Sequence, residues 1–412
     1  MLILYYIYLY IHNMKILVSS PITNQNSTYL IKKLIKKKII YKFISSIGFT
    51  FNQKFLKFLP NILLNQFKKR DRSELKGFFL PVFTIQELKL KLIDKLNIFS
   101  RNDFKNTLNL FNRIDNFTAN YILNKKISHV YCYQNCALET FKQAKKNKIK
   151  TIYELPTVYW KLSNKIIKQE LKKKRNIDLK KYLLKKSHSN KLDKEISYSD
   201  VIVVPSKYVK KNLRKYYKEK KIIKVVPYGF PIVIKNKNWY NGKRKLKIIF
   251  IGKFSQSKGL DVVLNSLENF QTSKIQTTFI GYGSMLKHIK TKLPNSKILQ
   301  NVSNDEVLKE LKENDVMILP TLFEGFGLSI SEAMSQGLVV LTTRNNFLYD
   351  ISPKIKIASI IKNEKDIKLN LNLFLKKPSI VKKIGTNAIN FAKKNSWIKY
   401  QSKIFNTIKN IK

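Results

Sequence analysis

Short apolar runs alternate with lysine-rich segments of helical periodicity along the first half of the chain. From Met14 the sequence gives a buried run, KILVS, then a polar turn and a helical segment, and similar runs recur as HVYCY, TIYEL, VIVVPS and KVVPYG. Such runs of β-branched and aromatic residues are typical of buried strands. Strands that alternate with helices predict a parallel sheet covered on both faces. The stretch 161–195 predicts a long, exposed, basic helical insertion.

A second alternation begins after residue 245, with the runs LKIIFIG, IQTTFIG, KILQNV, DVMILP and LVVLTT. Between the two alternations, PIVIKNKNWYNGKRK has no periodicity, as expected for a linker. We therefore predict an α/β protein with two Rossmann-like, doubly wound parallel-sheet domains that face a cleft. The predicted divisions are an N-terminal domain at 14–230, a linker at 231–245, a second domain at 246–390 and a closing helix at 391–412.

The composition agrees with two globular domains and adds an unusual charge. Of the 412 residues, 44% are apolar and 12% aromatic, and 80 Lys and Arg against 26 Asp and Glu give a formal net charge of +54. This charge indicates a polyanionic partner, or it reflects an AT-rich genome, since Lys, Asn, Ile, Tyr and Phe are abundant while Gly and Pro are scarce. In either case we expect a weak, salt-sensitive contact with anionic membranes.

The chain start, the cysteines and the histidines bear on location and on metal binding. The segment MLILYYIYLYIHN is apolar but too short to span a bilayer, so we interpret residues 1–13 as a misassigned start, with a short membrane-touching segment as the alternative. Cys132 and Cys136 are expected to be free thiols in a reducing cytoplasm. The sequence has no Asp-x-Asp pair and its four histidines are scattered, so no metal site is predicted.

Loops that follow predicted strands of the second domain carry the candidate chemistry. In open α/β sheets, ligands bind beyond the carboxyl ends of the strands. IGKFSQSKGLD places Lys253 and Lys258 where two ammonium groups can clamp a diphosphate. IGYGSMLKHI supplies Gly281 and Gly283, at which the backbone can approach a ligand closely. LPTLFEGFGLSISEAMSQG supplies Glu324 in a loop before a helix.

The order and spacing of these segments resemble the retaining glycosyltransferases of family four, also called glycosyl transferases group one. PTLFEGFGLSISEAMSQGLVVLTT is similar to the family's EGFG and Glu-x7-Glu pattern, and IGKFSQSKGLD looks like its lysine-glycine loop. VIVVPSKYVKKNLRK with KVVPYGF resembles the family's interdomain stretch. NSWIKYQSKIF resembles its closing helix, which crosses back to the first domain. The resemblance is specific from about residue 196 to the end.

The resemblance implies a GT-B fold and a cytoplasmic, hexosyltransferase-type enzyme. Such an enzyme moves a sugar from a UDP-, GDP- or ADP-sugar to a saccharide or lipid-linked acceptor, with anomeric retention and without a bound cofactor or metal. Family members build envelope polysaccharides and glycolipids, which implies a position at the inner face of the membrane. In this comparison Lys253 and Lys258 neutralise the leaving diphosphate. Glu324 grips the donor sugar and Glu332 holds the nucleotide ribose.

The same resemblance implies the remaining site residues. The base is expected near Asn301 and Val302, and the acceptor side near Tyr133, Gln134 and Glu154. The other donor-binding positions are Gly252, Gly281, Gly283, Phe326, Gly327 and Leu328.

The sequence departs from the family pattern at three places. The histidine often found near the family's N-domain sugar site has no assigned counterpart, because His129 lies inside the predicted strand and not at its end. Lys253 stands where the family more often has arginine, which replaces a bidentate fork by a point charge. The family's glycine-rich turn after the first strand is absent, because SSPITNQNS contains no glycine.

Other functions stay open at this point. One is a catalytically silent GT-B partner subunit, and another is a GT-B enzyme of a different reaction, such as a sugar-nucleotide epimerase. A basic nucleic-acid-binding protein is the third, although no known binding module is visible in the sequence.

Overall fold

The architecture rests on two separate parallel β-sheets. The structure is a computed structural model that describes residues 14–46, 72–83, 86, 103–173, 179–268, 270, 273–352 and 354–411. The predicted start at residues 1–13 lies outside the described residues.

The first sheet contains seven strands. They are β1 (Ile16–Ser20), β2 (Ile40–Ser45), β3 (Phe79–Pro81), β4 (His129–Tyr133), β5 (Lys150–Glu154), β6 (Val201–Val204) and β7 (Ile222–Val225). Their order is β3-β2-β1-β4-β5-β6-β7, and all neighbours are parallel. The sequence therefore reverses its direction across the sheet between β1 and β4, which is the usual place for a ligand crevice.

The second sheet contains six strands. They are β8 (Leu246–Ile251), β9 (Ile275–Ile280), β10 (Lys297–Leu299), β11 (Val316–Leu319), β12 (Val339–Thr342) and β13 (Ser359–Ile360). Their order is β10-β9-β8-β11-β12-β13, again with parallel neighbours, so the reversal lies between β8 and β11. Every residue of β11 and β12 is buried, as expected for strands covered on both faces. The predicted α/β class with two doubly wound sheets is confirmed.

Helices connect the strands and cover the sheets. Among the described residues of the first domain they are α1 (Gln25–Lys36), α2 (Asp103–Tyr121), α3 (Leu138–Lys146), α4 (Trp160–Lys172), α5 (Lys186–Ser197) and α6 (Lys207–Tyr216). In the second domain they are α7 (Leu260–Leu267), α8 (Leu286–Lys292), α9 (Asn304–Glu313), α10 (Leu328–Ser335), α11 (Glu364–Lys376) and α12 (Ser379–Lys393). The last helix is α13 (Trp397–Lys409).

The stretch 161–195 is not the long exposed helix that its lysines predict. It contains most of α4 and α5 and a 3₁₀ turn at Leu179–Tyr182. Ile167 of α4 and Leu192 and Glu195 of α5 are buried. The predicted helical insertion is present between β5 and β6, but the expected exposure was wrong because the few apolar positions, and not the many lysines, decide how these helices pack.

The last helix, α13, packs against α1 of the first domain. The rings of Trp397 and Tyr29 are stacked, with centroids 4.5 Å apart. The hydroxyl of Tyr400 donates to the carbonyl oxygen of Asn26 at 3.3 Å, and Nε2 of Gln401 donates to that of Tyr29 at 2.9 Å. The chain therefore returns to its first domain after completing the second.

Candidate functional site

Two neighbouring strands of the second sheet bring a predicted lysine and a predicted glutamate together. Loops that leave adjacent parallel strands at a reversal of strand order face a common crevice. The loop after β8 carries Lys258, and the loop after β11 carries Glu324. The Lys258 ammonium forms an ion pair with the Glu324 carboxylate. The two side chains are 28% and 19% exposed, so the pair borders the crevice and is not sealed in the core.

This ion pair can be rearranged by an anionic ligand. A diphosphate offers the Lys258 ammonium a second anionic partner, and charge-assisted hydrogen bonds of this kind are short and strong. The Glu324 carboxylate can accept hydrogen bonds from sugar hydroxyl groups at the same time. Because the pair is mostly shielded from water, its electrostatic interactions are stronger than those of a surface pair.

Lys253 lies in the same loop as Lys258 but contacts the other domain. Its ammonium lies over the ring of Tyr182, 5.5 Å from the ring centroid, which is a cation–π contact. Tyr182 belongs to the 3₁₀ turn of the first domain, and its buried hydroxyl oxygen has no hydrogen-bond partner among the described residues. No sequence pattern reveals Tyr182 as a member of this site.

Glu332 lies in α10 and is also contacted from the first domain. Nε2 of Gln25 donates a hydrogen bond to Oε1 of Glu332 at 3.3 Å. Gln25 is the first residue of α1, just beyond the carboxyl end of β1 and therefore at the reversal of the first sheet. Burial raises the pKa of Glu332 to about 7, and the hydrogen bond from Gln25 opposes that rise.

The N-terminus of α10 offers main-chain groups to the same crevice. Gly327 precedes the helix with a φ of 97°, and no side chain caps the helix start at Leu328. The first N–H groups of a helix have no acceptor within it and carry partial positive charge. The buried ring of Phe326 is stacked on that of Phe347, with centroids 4.6 Å apart. Phe326 therefore anchors the loop by its ring, and only its main chain is left to meet a ligand.

Gly281 and Gly283 allow close packing within the protein itself, whereas at Gly252 a Cβ would have room and a φ of 153° is what favours glycine. A Cβ at Gly281 would lie 1.9 Å from the carbonyl oxygen of Gly252, and a Cβ at Gly283 would lie 2.5 Å from that of Phe254. Such distances are sterically forbidden for any side chain. These loops therefore need glycine whether or not a ligand approaches them.

Asn301 and Val302, predicted near the base, lie beyond β10. This strand is at the edge of the second sheet, and β9 separates it from β8. Asn301 is exposed with a φ of 59°, and Val302 is half-buried. The structure thus places them at the side of the crevice, one strand farther out than the glycine loop after β9.

The residues predicted on the acceptor side lie at the carboxyl ends of β4 and β5. Glu154 is fully buried, and the hydroxyls of Tyr131 and Tyr228 donate to its two carboxylate oxygens, the latter at 2.7 Å. Burial raises the pKa of Glu154 to about 7 against the effect of both hydrogen bonds. Tyr133 is also buried, and Gln134 is half-buried. Both carboxylate oxygens of Glu154 therefore contact protein groups.

The loop after β11 is held against the first domain. Oγ of Ser206 donates to the carbonyl oxygen of Gly325 at 2.7 Å. A Cβ at Gly325 would lie 1.7 Å from the carbonyl oxygen of Pro156, so the two domains touch backbone to backbone here. The position of Glu324 is therefore set by both domains.

The described residues contain neither a cluster of metal-binding side chains nor a helix that could span a membrane. Within the described ranges, no group of three or more His, Cys, Asp or Glu side chains is placed to hold a metal ion. In the same part of the chain, no helix has both the length and the apolar character needed to cross a membrane.

Comparisons with known proteins identify the second domain and the architecture. Residues 233–391 match the family model described as glycosyl transferases group 1. An uncharacterized glycosyltransferase of Methanocaldococcus jannaschii is 26% identical over 208 residues, which cover 49% of this chain and 57% of that protein. An uncharacterized 41.2 kDa protein in the cps region of Klebsiella pneumoniae is 33% identical over 101 residues, covering 24% of this chain and 28% of that protein. These two relatives are thus matched over about half and about a quarter of their lengths.

The architecture as a whole is similar to solved structures. The crystal structure of Anabaena HepE in complex with UDP and glucose has a TM-score of 0.65 and 13% identity, and the match covers 97% of this chain and 100% of that one. At this identity the likeness concerns the fold. The two facing parallel-sheet domains form the GT-B fold, which confirms the fold prediction.

Proposed function

We propose, from the match of residues 233–391 to the family model described as glycosyl transferases group 1, that the protein transfers a sugar from a nucleotide-diphospho-sugar to a hydroxyl group of an acceptor. The observation that carries the proposal is the ion pair between Lys258 and Glu324, which borders the crevice at the reversal of the second sheet. Glu332 and the uncapped start of α10 belong to the same crevice.

Lys258 acts on the leaving group in this proposal. Transfer breaks the bond between the anomeric carbon and the diphosphate oxygen, and the bonding electrons stay with the diphosphate. Its negative charge grows in the transition state, where a fixed ammonium and the N–H groups at the start of α10 stabilise it. Lys253 adds a second positive charge from the same loop.

Glu324 and Glu332 position the donor. The Glu324 carboxylate accepts hydrogen bonds from hydroxyls of the sugar while it holds the Lys258 ammonium. The Glu332 carboxylate accepts a hydrogen bond from the nucleotide ribose, a contact that is the same before and during the reaction. Contacts that do not change between substrate and transition state lower KM without raising kcat.

Retention of the anomeric configuration and independence from metal are also part of the proposal, as is an acceptor among envelope polysaccharides or glycolipids. The family resemblance supports anomeric retention and the acceptor class. A diphosphate clamp made of Lys253 and Lys258 supports metal independence, because two ammonium groups can supply the positive charge that a divalent cation supplies in other glycosyltransferases.

Donor turnover in engineered variants tests this assignment. Lys258→Ala is expected to lower kcat about a hundredfold, corresponding to roughly 3 kcal/mol of lost transition-state stabilisation. Glu324→Gln should lower kcat with the fold intact, and Glu332→Ala should mainly raise the donor KM. Lys382→Ala, which removes an exposed lysine of α12, is the matched control and should leave both constants unchanged.

The assay follows release of nucleoside diphosphate from UDP-, GDP- and ADP-sugars, with and without EDTA, so that hydrolysis is detected when no acceptor is present. Full activity in all three site variants would place the reaction elsewhere. Activity that EDTA abolishes and magnesium restores would refute metal independence. A wild type that binds donors but never turns them over, even with acceptors, would instead identify a silent partner subunit.

We further propose weak association with the inner face of an anionic membrane. The net charge of +54 and the three exposed lysines at the end of α1 and just beyond it, Lys36, Lys37 and Lys38, support it. Each lysine near an anionic leaflet contributes about 1 kcal/mol, and the attraction fades within a Debye length. Sedimentation with phosphatidylglycerol vesicles should show binding that salt weakens. Equal binding to neutral vesicles, or salt-resistant selective binding to one oligonucleotide, would contradict this proposal.

A further inference from the structure

We propose that Gln25 of the first domain binds the nucleotide ribose jointly with Glu332 of the second domain. The inference rests on the proposed function, which brings a nucleoside diphosphate into the crevice. It adds a ligand from α1 at the point where the sequence lacks a glycine-rich turn, in the segment SSPITNQNS.

The orientation of the Gln25 amide follows from its partner. In the structure the amide nitrogen of Gln25 faces Oε1 of Glu332 at 3.3 Å, the orientation that suits the ionised carboxylate, which can only accept hydrogen bonds. The amide oxygen of Gln25 then points away from this hydrogen bond. That oxygen is buried and has no hydrogen-bond partner among the described residues. A buried acceptor without a donor is costly, and a bound ligand is one way of satisfying it.

The free acceptors of this pair match the chemistry of a ribose. Vicinal hydroxyls offer two O–H donors. With Oε1 of Glu332 engaged by Gln25, the pair presents Oε2 of Glu332 and Oε1 of Gln25 as its two remaining acceptors. Each hydroxyl can therefore donate to a different residue, and the nucleotide then connects the two domains.

The backbone around Gln25 is fixed before any ligand binds. Asn24 and Ser27 form a capping box at the start of α1, with reciprocal hydrogen bonds between side chain and backbone, both 3.0 Å long. The fixed backbone and the hydrogen bond from Gln25 to Glu332 together reduce the freedom that this side chain loses on binding. Gln25 is therefore presented to the crevice by a preorganised helix start.

Calorimetric titration with UDP, 2′-deoxy-UDP and 3′-deoxy-UDP tests the inference, with GDP or ADP and their deoxy forms used if the wild type binds these more tightly. Gln25→Ala and Gln25→Met are compared, because methionine keeps the side-chain volume and removes both polar atoms. Both should weaken binding of the full nucleotide about tenfold. The Gln25 variants and the wild type should bind equally well to the deoxy nucleotide that lacks the hydroxyl held by Gln25. Glu332→Ala and the wild type should bind equally well to the other deoxy nucleotide, which lacks the hydroxyl held by Glu332. Thr28→Ala, one turn along α1, is the control and should bind as the wild type does.

The possible results separate this inference from the proposed function. Unchanged binding in both Gln25 variants, with weaker binding in Glu332→Ala, would overturn the role of Gln25 and leave the proposed function standing. Equal weakening with all three nucleotides would overturn it too, since Gln25 would then act on domain closure and not on the ribose. Tighter binding after Gln25→Ala would show that the contact closes the empty crevice, which also contradicts the inference. A wild type that binds none of UDP, GDP and ADP would refute the proposed function itself.

Discussion

Replacing Glu154 by glutamine is expected to stabilise the protein in mild alkali but not in mild acid. Glu154 is fully buried, and Tyr131 and Tyr228 donate to its carboxylate. Burial raises its pKa from the ordinary 4.5 to about 7. Between these two values the folded protein binds more protons than the unfolded chain, so the stability that this group contributes falls as the pH rises through the window.

The magnitude follows from the two pKa values. Their separation corresponds to about 3 kcal/mol of lost stability once the pH exceeds the folded value. Glutamine is neutral at every pH and avoids this loss, but its amide has one acceptor oxygen for two tyrosine donors. Weakening one of these hydrogen bonds costs about 1 kcal/mol. Glu154→Gln should therefore be more stable than the wild type by about 2 kcal/mol at pH 8, and the advantage should disappear near pH 5.

Urea unfolding of both proteins at the two pH values measures this difference. Glu313→Gln, which changes an exposed glutamate of α9, is the matched control, and its stability relative to the wild type should not depend on pH. The reasoning fails if Glu154→Gln loses as much stability between pH 5 and pH 8 as the wild type does. In that case the buried carboxyl would be ionised across the whole range.

Two further predictions concern contacts between the domains. Gly325→Ala should reduce donor turnover at least tenfold, because the new Cβ meets the carbonyl oxygen of Pro156 and pushes the domains apart. Unchanged turnover, together with an unchanged radius of gyration in X-ray scattering, would contradict this prediction. Tyr182→Ala should weaken UDP binding about two- to fivefold by removing the ring beneath Lys253, whereas Tyr182→Phe keeps the ring and should retain most of the UDP affinity. Equal losses of affinity for the two variants in calorimetry would assign the effect to the hydroxyl and contradict the role of the ring.

The second domain could be predicted from sequence because its signals are local. Each candidate loop follows an apolar run and precedes a helix, so parallel-sheet geometry alone places the loops at one edge. The contact between Lys258 and Glu324 agrees with this reasoning, because their strands β8 and β11 are neighbours. Sequence spacing could not show that Gly281 and Gly283 after β9 are required by close contacts with the main chain of the loop after β8.

The contributions of the first domain could not be read in the same way. Gln25 and Glu332 are 307 residues apart, and no local pattern joins such a pair. The one available signal was position, since Gln25 opens the first helix after a central strand. Tyr182 lies in a lysine-rich stretch whose pattern predicts solvent exposure, so nothing in the sequence marks it as a site residue. Glu154 was recognised as a residue of interest, but its burial depends on Tyr228, which comes from a later part of the chain.

The packing of α13 on α1 can form only after nearly the whole chain has been synthesised. Gln401 and Tyr29, which join the two helices, are 372 residues apart, and ribosomes add about 5 to 20 residues per second. After α1 has left the ribosome, roughly 20 to 75 seconds therefore pass before α13 is synthesised and can pack on its aromatic face. During that interval Tyr29 has no Trp397 to stack on, and the first domain emerges with an uncovered apolar stripe. Chaperones that shield such surfaces during translation would act on α1 before they act on any other helix of the crevice.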